Sequence, residues 1–335
     1  MNEPAPKVSV VMVAYQHAPF IAEAIESVLR QHTNFDFELV IGDDFSPDGT
    51  REIVERYAAA HPRRIRLHLP EKNLGLTRNV AATLRLCRAP LVAWLEGDDF
   101  WTSPGKLQRQ SDYLDAHPDC AWCFTRAIVV DRAGQPIPAK SVVRVVKPRY
   151  ELEDYLRRDF QPRACTVMFR HPHPIEFPDW FFEMPTADMP LHVLNTEHGF
   201  IGFIDAETAA YRIHPGGVWS QGFSPAEWGG KTIAEQRHLI HCLDATMKVY
   251  RAIEKHFGGR HREITRPQIA HFAARLAALH RSLREWPEMR RALGVALRHS
   301  PFRWPFSPVW LAESLLVSYL PFLSRTKLRA ETEGV

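Results

Sequence analysis

Hydrophobic positions repeat with two alternating periods along the first hundred residues. Continuous apolar runs rich in β-branched residues, typical of strands covered on both faces, occupy residues 8–15, 37–42, 65–69 and 90–96. Apolar residues three and four positions apart predict helices after the first three runs, beginning near Pro19, near Asp48 or Thr50, and at Leu76. Strand and helix alternate, which favours a mostly parallel, Rossmann-like α/β sheet flanked by helices.

Acidic residues follow two of these predicted strands. Asp43 and Asp44 close the second strand, and Glu96, Asp98 and Asp99 close the fourth. Open parallel sheets bind ligands at the carboxyl ends of their strands. Clustered carboxylates repel, so a metal ion, shared protons or simple solvation must compensate them. We favour Mn²⁺ or Mg²⁺, because such an ion accepts one or two carboxylates and fills its other positions with phosphate oxygens and water.

Four sequence blocks carry a resemblance to a known family. VSVVMVAYQHAPFIAEAIESVLRQ, ELVIGDDFSPDGT, NLGLTRNVA and WLEGDDFW, in this order, resemble the nucleotide-sugar domain of family 2 glycosyltransferases. The likeness is strong over residues 7–130 and continues, weaker, to about residue 220. It implies a GT-A fold, inversion at the sugar carbon, and a nucleoside-diphosphate sugar, most often a UDP-sugar, held through a divalent metal ion.

The resemblance implies roles for residues that would bind the nucleotide sugar. Asp43 would accept a hydrogen bond from the base, and Ala14 and Tyr15 would lie against the nucleoside. Arg78 would sit near the sugar or the diphosphate, with a surface helix residue as the alternative. Asp44 would either join this site or bond the amides of its own loop as a turn-forming residue.

The resemblance also defines the metal end of the site. Asp99 would bind the ion, and Asp98 would touch the ion or the ribose. Glu96 stands where many relatives have Asp, which leaves open whether it is a ligand. A Tyr-Arg-x-His block follows two strand-like segments and implies that Arg212 contacts the nucleotide sugar. His214 would bind the diphosphate or be a third metal ligand, with a hydrogen-bonded structural histidine as the alternative.

The predicted reaction needs a base in addition to the metal. The acceptor hydroxyl must lose its proton on the sugar face opposite the leaving diphosphate. Asp188 precedes an apolar helical stretch and matches in position the Asp that relatives use as base. Ala187 departs from the commoner Glu-Asp pairing, and Glu183 is the reserve candidate. A charge at a helix N-terminus is the structural alternative for Asp188.

A helical pattern rich in His and Arg follows the predicted catalytic region. We therefore expect a GT-A domain at residues 1–224, with a nucleotide-sugar half at 7–130 and an acceptor half at 131–224, and a helical extension at 225–335. A helical hairpin broken near Trp286 is predicted, with these residues facing inward: Ala274, Leu276, Leu279, Leu283, Met289, Leu293, Ala296 and Leu297.

An apolar helix is predicted near residues 307–323. Its apolar part is too short and too interrupted to span a bilayer. It would dock on protein or lie peripherally in a membrane interface, next to the cations that follow it. The N-terminus lacks the basic and apolar pattern of a secretory signal, so we expect a cytoplasmic protein, with the inner face of the membrane as the site of any lipid contact.

Composition excludes other classes of protein. The 335 residues are 45% hydrophobic and 24% charged, enough to bury a substantial core. A formal charge of +3 is too small to indicate a nucleic-acid partner. The five scattered cysteines favour reduced thiols, with Cys120 and Cys123 in the core.

The sequence therefore predicts a metal-dependent inverting transfer of sugar from a nucleoside-diphosphate sugar to a hydroxyl of a glycan or lipid-linked glycan, with Asp188 as general base. A catalytically degenerate GT-A module that binds glycan or a partner is one alternative. A nucleotidyltransferase that makes sugar nucleotides is the other, and it should carry a Gly-rich triphosphate loop where this chain has AYQHAPF.

Overall fold

The computed structural model describes residues 5–137, 147–171, 176–197, 199–217 and 232–300. The chain divides into two compact units, residues 1–220 and 221–335. The predicted boundary between residues 224 and 225 lies outside the described residues, as does the helix predicted near residues 307–323. Both stay predictions.

The first unit begins with the predicted alternation of strands and helices. The elements are β1 (Val8–Ala14), α1 (Ile21–Leu29), β2 (Phe37–Asp43), α2 (Thr50–Ala60), β3 (Ile65–His68), α3 (Leu76–Arg85) and β4 (Leu91–Glu96). Each predicted strand end agrees with the structure to within one residue. The four strands are parallel and lie in the order β3-β2-β1-β4.

The sheet then becomes mixed. The next elements are β5 (Phe100–Trp101), α4 (Lys106–Ala116), β6 (Cys120–Val130), β7 (Arg149–Tyr150), α5 (Leu152–Arg157), β8 (Val167–Arg170), α6 (Asp188–Thr196) and β9 (Phe200–Arg212). Beyond β4 the order continues β8-β6-β9-β5, with β7 also paired to β9. β8 runs antiparallel to both β4 and β6, whereas β6 and β9 are parallel. A mixed α/β sheet with flanking helices confirms the predicted fold class.

The core forms where the helices cover the sheet. Every residue of β1 and β2 is buried, as expected for strands covered on both faces. On α1, the residues that face the core follow helical spacing: Ile21, Ala24, Ile25 and Val28, all completely buried. The five cysteines are free and buried, in agreement with the expectation of reduced thiols.

A buried carboxylate ties the amino-terminal ends of the strands. Glu38 Oε1 accepts hydrogen bonds from Ser9 Oγ at 2.7 Å and from the Arg88 amide at 2.8 Å. Arg88 Nε donates to Glu38 Oε2 at 2.9 Å. Since a buried charge is tolerated only when paired and hydrogen-bonded, this cluster fixes β1, β2 and the turn into β4 relative to one another.

The second unit is helical over its described residues. It contains α7 (Ile233–His256), α8 (Arg262–Ser282) and α9 (Trp286–His299). Thr232 caps α7, because its hydroxyl accepts from the Glu235 amide while the Glu235 carboxylate accepts from the Thr232 amide. The predicted hairpin forms from α8 and α9. The prediction that Leu297 faces inward in this hairpin is wrong, because its side chain is 37% exposed.

Within the part of the chain that the structure describes, no helix combines the length and apolar character needed to cross a membrane.

Candidate functional site

The carboxyl ends of three adjacent strands bring the predicted donor-site residues together. Ala14 at the end of β1 pairs with Asp43 at the end of β2, and Val13 pairs with Glu96 at the end of β4. Ala14 is buried, while the next residue, Tyr15, is 45% exposed. Parallel pairing therefore places an aromatic ring and two strand-end carboxyl groups at one edge of the sheet.

Asp43 has one carboxylate oxygen fixed and one without a partner. Its Oδ2 accepts from the Ser46 amide at 3.2 Å and from Arg51 Nε at 3.4 Å. Its Oδ1 is buried and has no hydrogen-bond partner among the described residues. A buried acceptor left in this state is costly, so the position is suited to a donor group that a ligand supplies.

The Asp44 carboxylate accepts hydrogen bonds from the loop that precedes α3 and not from its own loop. Its two oxygens accept from the amides of Leu74 at 2.7 Å and Gly75 at 2.9 Å. Asn73 Nδ2 donates to the Asp44 carbonyl at 3.0 Å. Asp44 thus fixes the turn that leads into α3, and the alternative that it bonds the amides of its own loop is wrong.

Asp98 lies between two histidines. Its Oδ2 is 3.0 Å from His214 Nε2 and 3.8 Å from His17 Nε2. Burial alone would raise the pKa of Asp98, but the hydrogen bond from His214 and the proximity of His17 hold that pKa below its usual value. Sequence analysis missed His17. The signal was a polar residue three positions after the end of β1, at the edge where the site forms.

Arg212 clamps the turn that carries Asp98 and Asp99. Its amide donates to Asp99 Oδ1 at 2.8 Å, and its Nε donates to the Asp98 carbonyl at 2.8 Å. Nη1 donates to the Arg132 carbonyl, and Nη2 donates to Glu23 at 2.6 Å. The side chain is buried and all three guanidinium nitrogens bind protein groups. The predicted contact of Arg212 with the nucleotide sugar stays a prediction, and Glu23 is a further residue that sequence analysis missed.

Two carboxyl groups of the cluster have strongly raised pKa values. Burial, followed by Asp99 and Asp98, raises the pKa of Glu96 well above its usual value. Burial and Asp98 likewise raise the pKa of Asp99, which is 2% exposed and is therefore not compensated by solvation. Glu96 Oε1 accepts from Trp94 Nε1 at 2.7 Å, while its buried Oε2 has no partner among the described residues. The cluster needs protons or a cation.

The residues fit a divalent ion whose coordination a substrate completes. In the described residues, no group of three or more His, Cys, Asp and Glu side chains could hold a metal by itself. Asp98 Oδ2 and His214 Nε2 nevertheless lie 3.0 Å apart, in the same cluster as Glu96 and Asp99, whose pKa values are strongly raised. Oxygen and imidazole donors suit Mn²⁺, and this ion readily takes its remaining ligands from phosphate and water.

Asp188 is the first residue of α6 and is partly buried. Its charge contributes to the raised pKa of Glu96, after burial, Asp99 and Asp98, so the two carboxyl groups belong to one electrostatic cluster. The residues that precede α6 contact α3: Thr77 Oγ1 donates to the Phe182 carbonyl at 3.4 Å, and the exposed Arg78 reaches the same oxygen at 3.5 Å. The segment that leads into α6 thereby contacts the start of α3.

A buried histidine anchors α6. His192 Nδ1 is 3.0 Å from the Tyr155 hydroxyl, and its ring stacks on Trp122 with centroids 4.8 Å apart. Burial lowers the pKa of His192 to about 4, so the ring is neutral at physiological pH. This packing fixes the helix that begins with Asp188.

The comparison with known proteins agrees with this geometry. Residues 9–174 match the model of glycosyl transferase family 2. An uncharacterized protein from Mycobacterium tuberculosis is 33% identical over 223 residues, which are 64% of this chain and 61% of that protein. The chain thus spans about 61% of the length of that relative.

Two solved structures share the fold. Staphylococcus aureus TarS 1-349 in complex with UDP-GlcNAc superposes with a TM-score of 0.52 and 18% identity, covering 88% of this chain and 89% of that one. The mannosyltransferase PcManGT from Pyrobaculum calidifontis, in complex with GDP-Man and Mn²⁺, has a TM-score of 0.53 and 15% identity, covering 98% and 85%. At such identities the likeness establishes the fold alone.

The mixed sheet with acidic groups at its strand ends has the GT-A architecture. The amino-terminal unit belongs to glycosyltransferase family 2, whose model it matches over residues 9–174. The resemblance of the four sequence blocks to this family is thereby confirmed.

Proposed function

We propose that this chain transfers a sugar, with inversion, from a nucleoside-diphosphate sugar to a hydroxyl of a glycan or lipid-linked glycan. One observation supports the proposal most strongly. The carboxyl ends of β1, β2 and β4 bring together the Asp43 oxygen, which is buried and has no partner among the described residues, and two buried carboxyl groups, Glu96 and Asp99, whose pKa values are strongly raised. A nucleoside diphosphate with its metal ion supplies what both features lack.

The nucleoside would bind between Asp43 and the end of β1. Asp43 Oδ1, which is buried and has no partner among the described residues, would accept from an N–H of the base, such as N3–H of uracil. Ala14 and the exposed ring of Tyr15 would lie against the nucleoside, with the ring as an apolar face. UDP-sugars are the donors we expect, and the TarS structure supports them because it contains UDP-GlcNAc.

Asp98, Asp99 and His214 would hold Mn²⁺ or Mg²⁺ beside the diphosphate. A bound ion supplies electrostatic stabilisation of the negative charge that forms on the leaving group. Arg212 would position the ion indirectly, because its amide and guanidinium fix the turn that carries Asp98 and Asp99.

Asp188 would act as general base. Anchored at the start of α6, its carboxylate takes the proton of the acceptor hydroxyl while the acceptor oxygen attacks the sugar carbon. The bond between that carbon and the diphosphate oxygen breaks on the opposite face, and its electron pair leaves with the nucleoside diphosphate. A single displacement of this kind inverts the configuration.

Two substitutions separate binding from chemistry. Asp99→Ala should abolish Mn²⁺-dependent binding of UDP, measured by calorimetry in Mn²⁺ and in EDTA, because it removes a proposed ligand of the ion. Asp188→Asn should retain UDP binding but lower kcat by about 10²- to 10⁴-fold, the usual contribution of a general base. GDP and dTDP, tested beside UDP, identify the nucleotide.

Asp115→Asn is the matched control, since Asp115 is an exposed carboxylate paired with Lys7. It should bind and transfer as the unchanged chain does. Normal transfer rates in both site variants would refute the assignment. Nucleotide binding without transfer by the unchanged chain would favour the catalytically degenerate module instead.

A further inference from the structure

Arg163 and Tyr211 lie close enough to the buried carboxylate of Asp99 to interact with it electrostatically. That carboxylate accepts from the Arg212 amide at 2.8 Å. Arg163 is two residues before Cys165, and Tyr211 immediately precedes Arg212. The Arg163 guanidinium carbon lies 4.4 Å from the centroid of the Tyr211 ring. The two side chains therefore form a pair next to the acidic cluster.

The turn that carries Arg163 is firmly anchored. The Thr166 amide and hydroxyl both donate to the Arg163 carbonyl, at 2.9 and 2.7 Å. Trp101 Nε1 donates to the Cys165 carbonyl at 2.9 Å, and Gln110 Nε2 donates to the Thr166 carbonyl at 2.9 Å. Because Trp101 and Gln110 are buried, the backbone of this turn has a fixed place beside the site.

The guanidinium of Arg163 is less fully bound by protein groups than that of Arg212, although its charge offsets part of the rise in the pKa of Asp99. The three guanidinium nitrogens of Arg212 donate hydrogen bonds to Asp98, Arg132 and Glu23. Arg163 is partly buried, and among the described residues no carboxylate lies within ion-pair distance of its guanidinium. A guanidinium that lies over an aromatic ring keeps N–H groups, which point outward in its own plane, available for an anion.

We propose that Arg163 binds the diphosphate of the donor directly, held in place by the ring of Tyr211. This inference rests on the proposed function. During transfer, the bond between the sugar carbon and the diphosphate oxygen breaks, and negative charge accumulates on the terminal phosphate. A guanidinium matches two phosphate oxygens at once, so Arg163 stabilises this leaving group independently of the metal ion.

The test compares a nucleotide with its nucleoside. Arg163→Gln should weaken binding of UDP by roughly 10- to 100-fold, in Mn²⁺ and in EDTA alike, because charge-assisted hydrogen bonds to phosphate are lost. Its affinity for uridine should not change, since uridine has no phosphate. Arg163→Lys should recover part of the UDP affinity by retaining the charge. Calorimetry measures the affinity of each variant for UDP and for uridine. GDP and guanosine serve as a second pair of ligands.

Arg64→Gln is the matched control. Arg64 is also partly buried, and its guanidinium carbon lies 4.1 Å from the ring centroid of Phe37, at the start of β2 and away from the strand ends that form the site. It should leave the affinities for UDP and uridine as they are in the unchanged chain.

Three outcomes would overturn the inference. Unchanged UDP affinity in Arg163→Gln would show that the guanidinium does not contact the diphosphate. A raised KM for the acceptor with unchanged UDP affinity would assign Arg163 to the acceptor. Equal losses for UDP and uridine would assign it a purely structural role. Failure of the unchanged chain to bind any nucleoside diphosphate would instead refute the proposed function itself.

Discussion

Phe45 adopts a left-handed backbone conformation directly after the strand-end acids of β2. Its φ is 61°, and its side chain is 49% exposed, with the Arg51 guanidinium 5.3 Å from the ring centroid. Gln16, two residues after β1, has a φ of 59°. Such conformations cost a non-glycine residue about 1–2 kcal/mol and concentrate at functional sites. Both lie at the edge where the proposed donor would bind.

Phe45→Gly should therefore be more stable than Phe45→Ala. Both variants lose the ring and its contact with Arg51, but only glycine adopts a φ of 61° without strain. We expect the free energy of unfolding to be about 1 kcal/mol higher for the glycine variant, measured by chemical denaturation. Equal stability of the two variants would show that the turn relaxes when the ring is removed.

Sequence reasoning located the acids at the ends of the strands because strand position and residue type are local properties. Asp43, Asp98 and Asp99 followed from them. It missed His17, Glu23 and Arg163, since their importance depends on contacts with distant parts of the chain. Glu23, for example, meets Arg212 across 189 positions of sequence. Close packing at Gly97 was likewise not predicted: an added Cβ there would lie 2.6 Å from Ile21 and 2.9 Å from His17.

At the scale of elements, α3 packs directly on the backbone of β2. Asn79 Nδ2 donates to the Gly42 carbonyl at 2.9 Å. A Cβ at Gly42 would lie 2.0 Å from Thr83 Oγ1 and 2.9 Å from Asn79 Oδ1. The absence of a side chain at this position is what lets the helix approach, one residue before Asp43.

Gly42→Ala should destabilise the first unit by about 2 kcal/mol, because the new methyl group forces α3 away from the strand. It should also weaken nucleotide binding, since Asp43 is the next residue. Gly105→Ala is the control, as an added Cβ there meets no atom within 4 Å. Thermal denaturation of both variants checks this expectation, and equal melting temperatures would contradict it.

Long, strongly periodic elements could be predicted from sequence, and short or irregular ones could not. The four parallel strands follow from continuous apolar runs. The four residues of β8 carry too little pattern to indicate an antiparallel neighbour for β4. Two strand-like segments were expected before His214, but they form the single strand β9 of 13 residues. Irregular register with β6 near Arg126 accommodates this length.

At the scale of the whole molecule, a buried lysine makes the free energy of unfolding depend on pH. Lys106 is completely buried, donates to Gln110, and lies 4.5 Å from the ring centroid of Trp101. Burial lowers the pKa of Lys106 to about 8. Above pH 8 the folded chain has released this proton, while the unfolded chain retains it until about pH 10.5. This residue therefore makes the folded state more stable as pH rises through that window.

Lys106→Met should remove this dependence. Between pH 7 and pH 10 we expect the unchanged chain to gain roughly 2 kcal/mol of unfolding free energy relative to the variant. Urea denaturation at both pH values measures it. Lys7→Met, which removes a partly exposed lysine paired with Asp115, should show no such difference. Parallel pH profiles for the unchanged chain and Lys106→Met would contradict the expectation.

The overall class of the molecule was predictable because four sequence blocks and the alternation of elements point to the same fold. The helices of the second unit also followed from apolar periodicity. The prediction for Leu297 was wrong because helical spacing identifies the apolar face of a helix but not how much of that face a neighbouring helix covers. The place of Lys106 in the core could not be predicted, since lysine is almost never fully buried.

The cluster of Ser9, Glu38 and Arg88 holds the sheet together at the strand ends remote from the proposed donor site. Its hydrogen bonds lie near the ends remote from Asp43 and Glu96, and Glu38 lies about 17 Å along β2 from Asp43. Loops at the recognition end can consequently be exchanged while alignment of the scaffold is kept by the far end. Grafting such loops from other members of the family, with residues 9, 38 and 88 retained, offers a route to transferases with altered sugar preference.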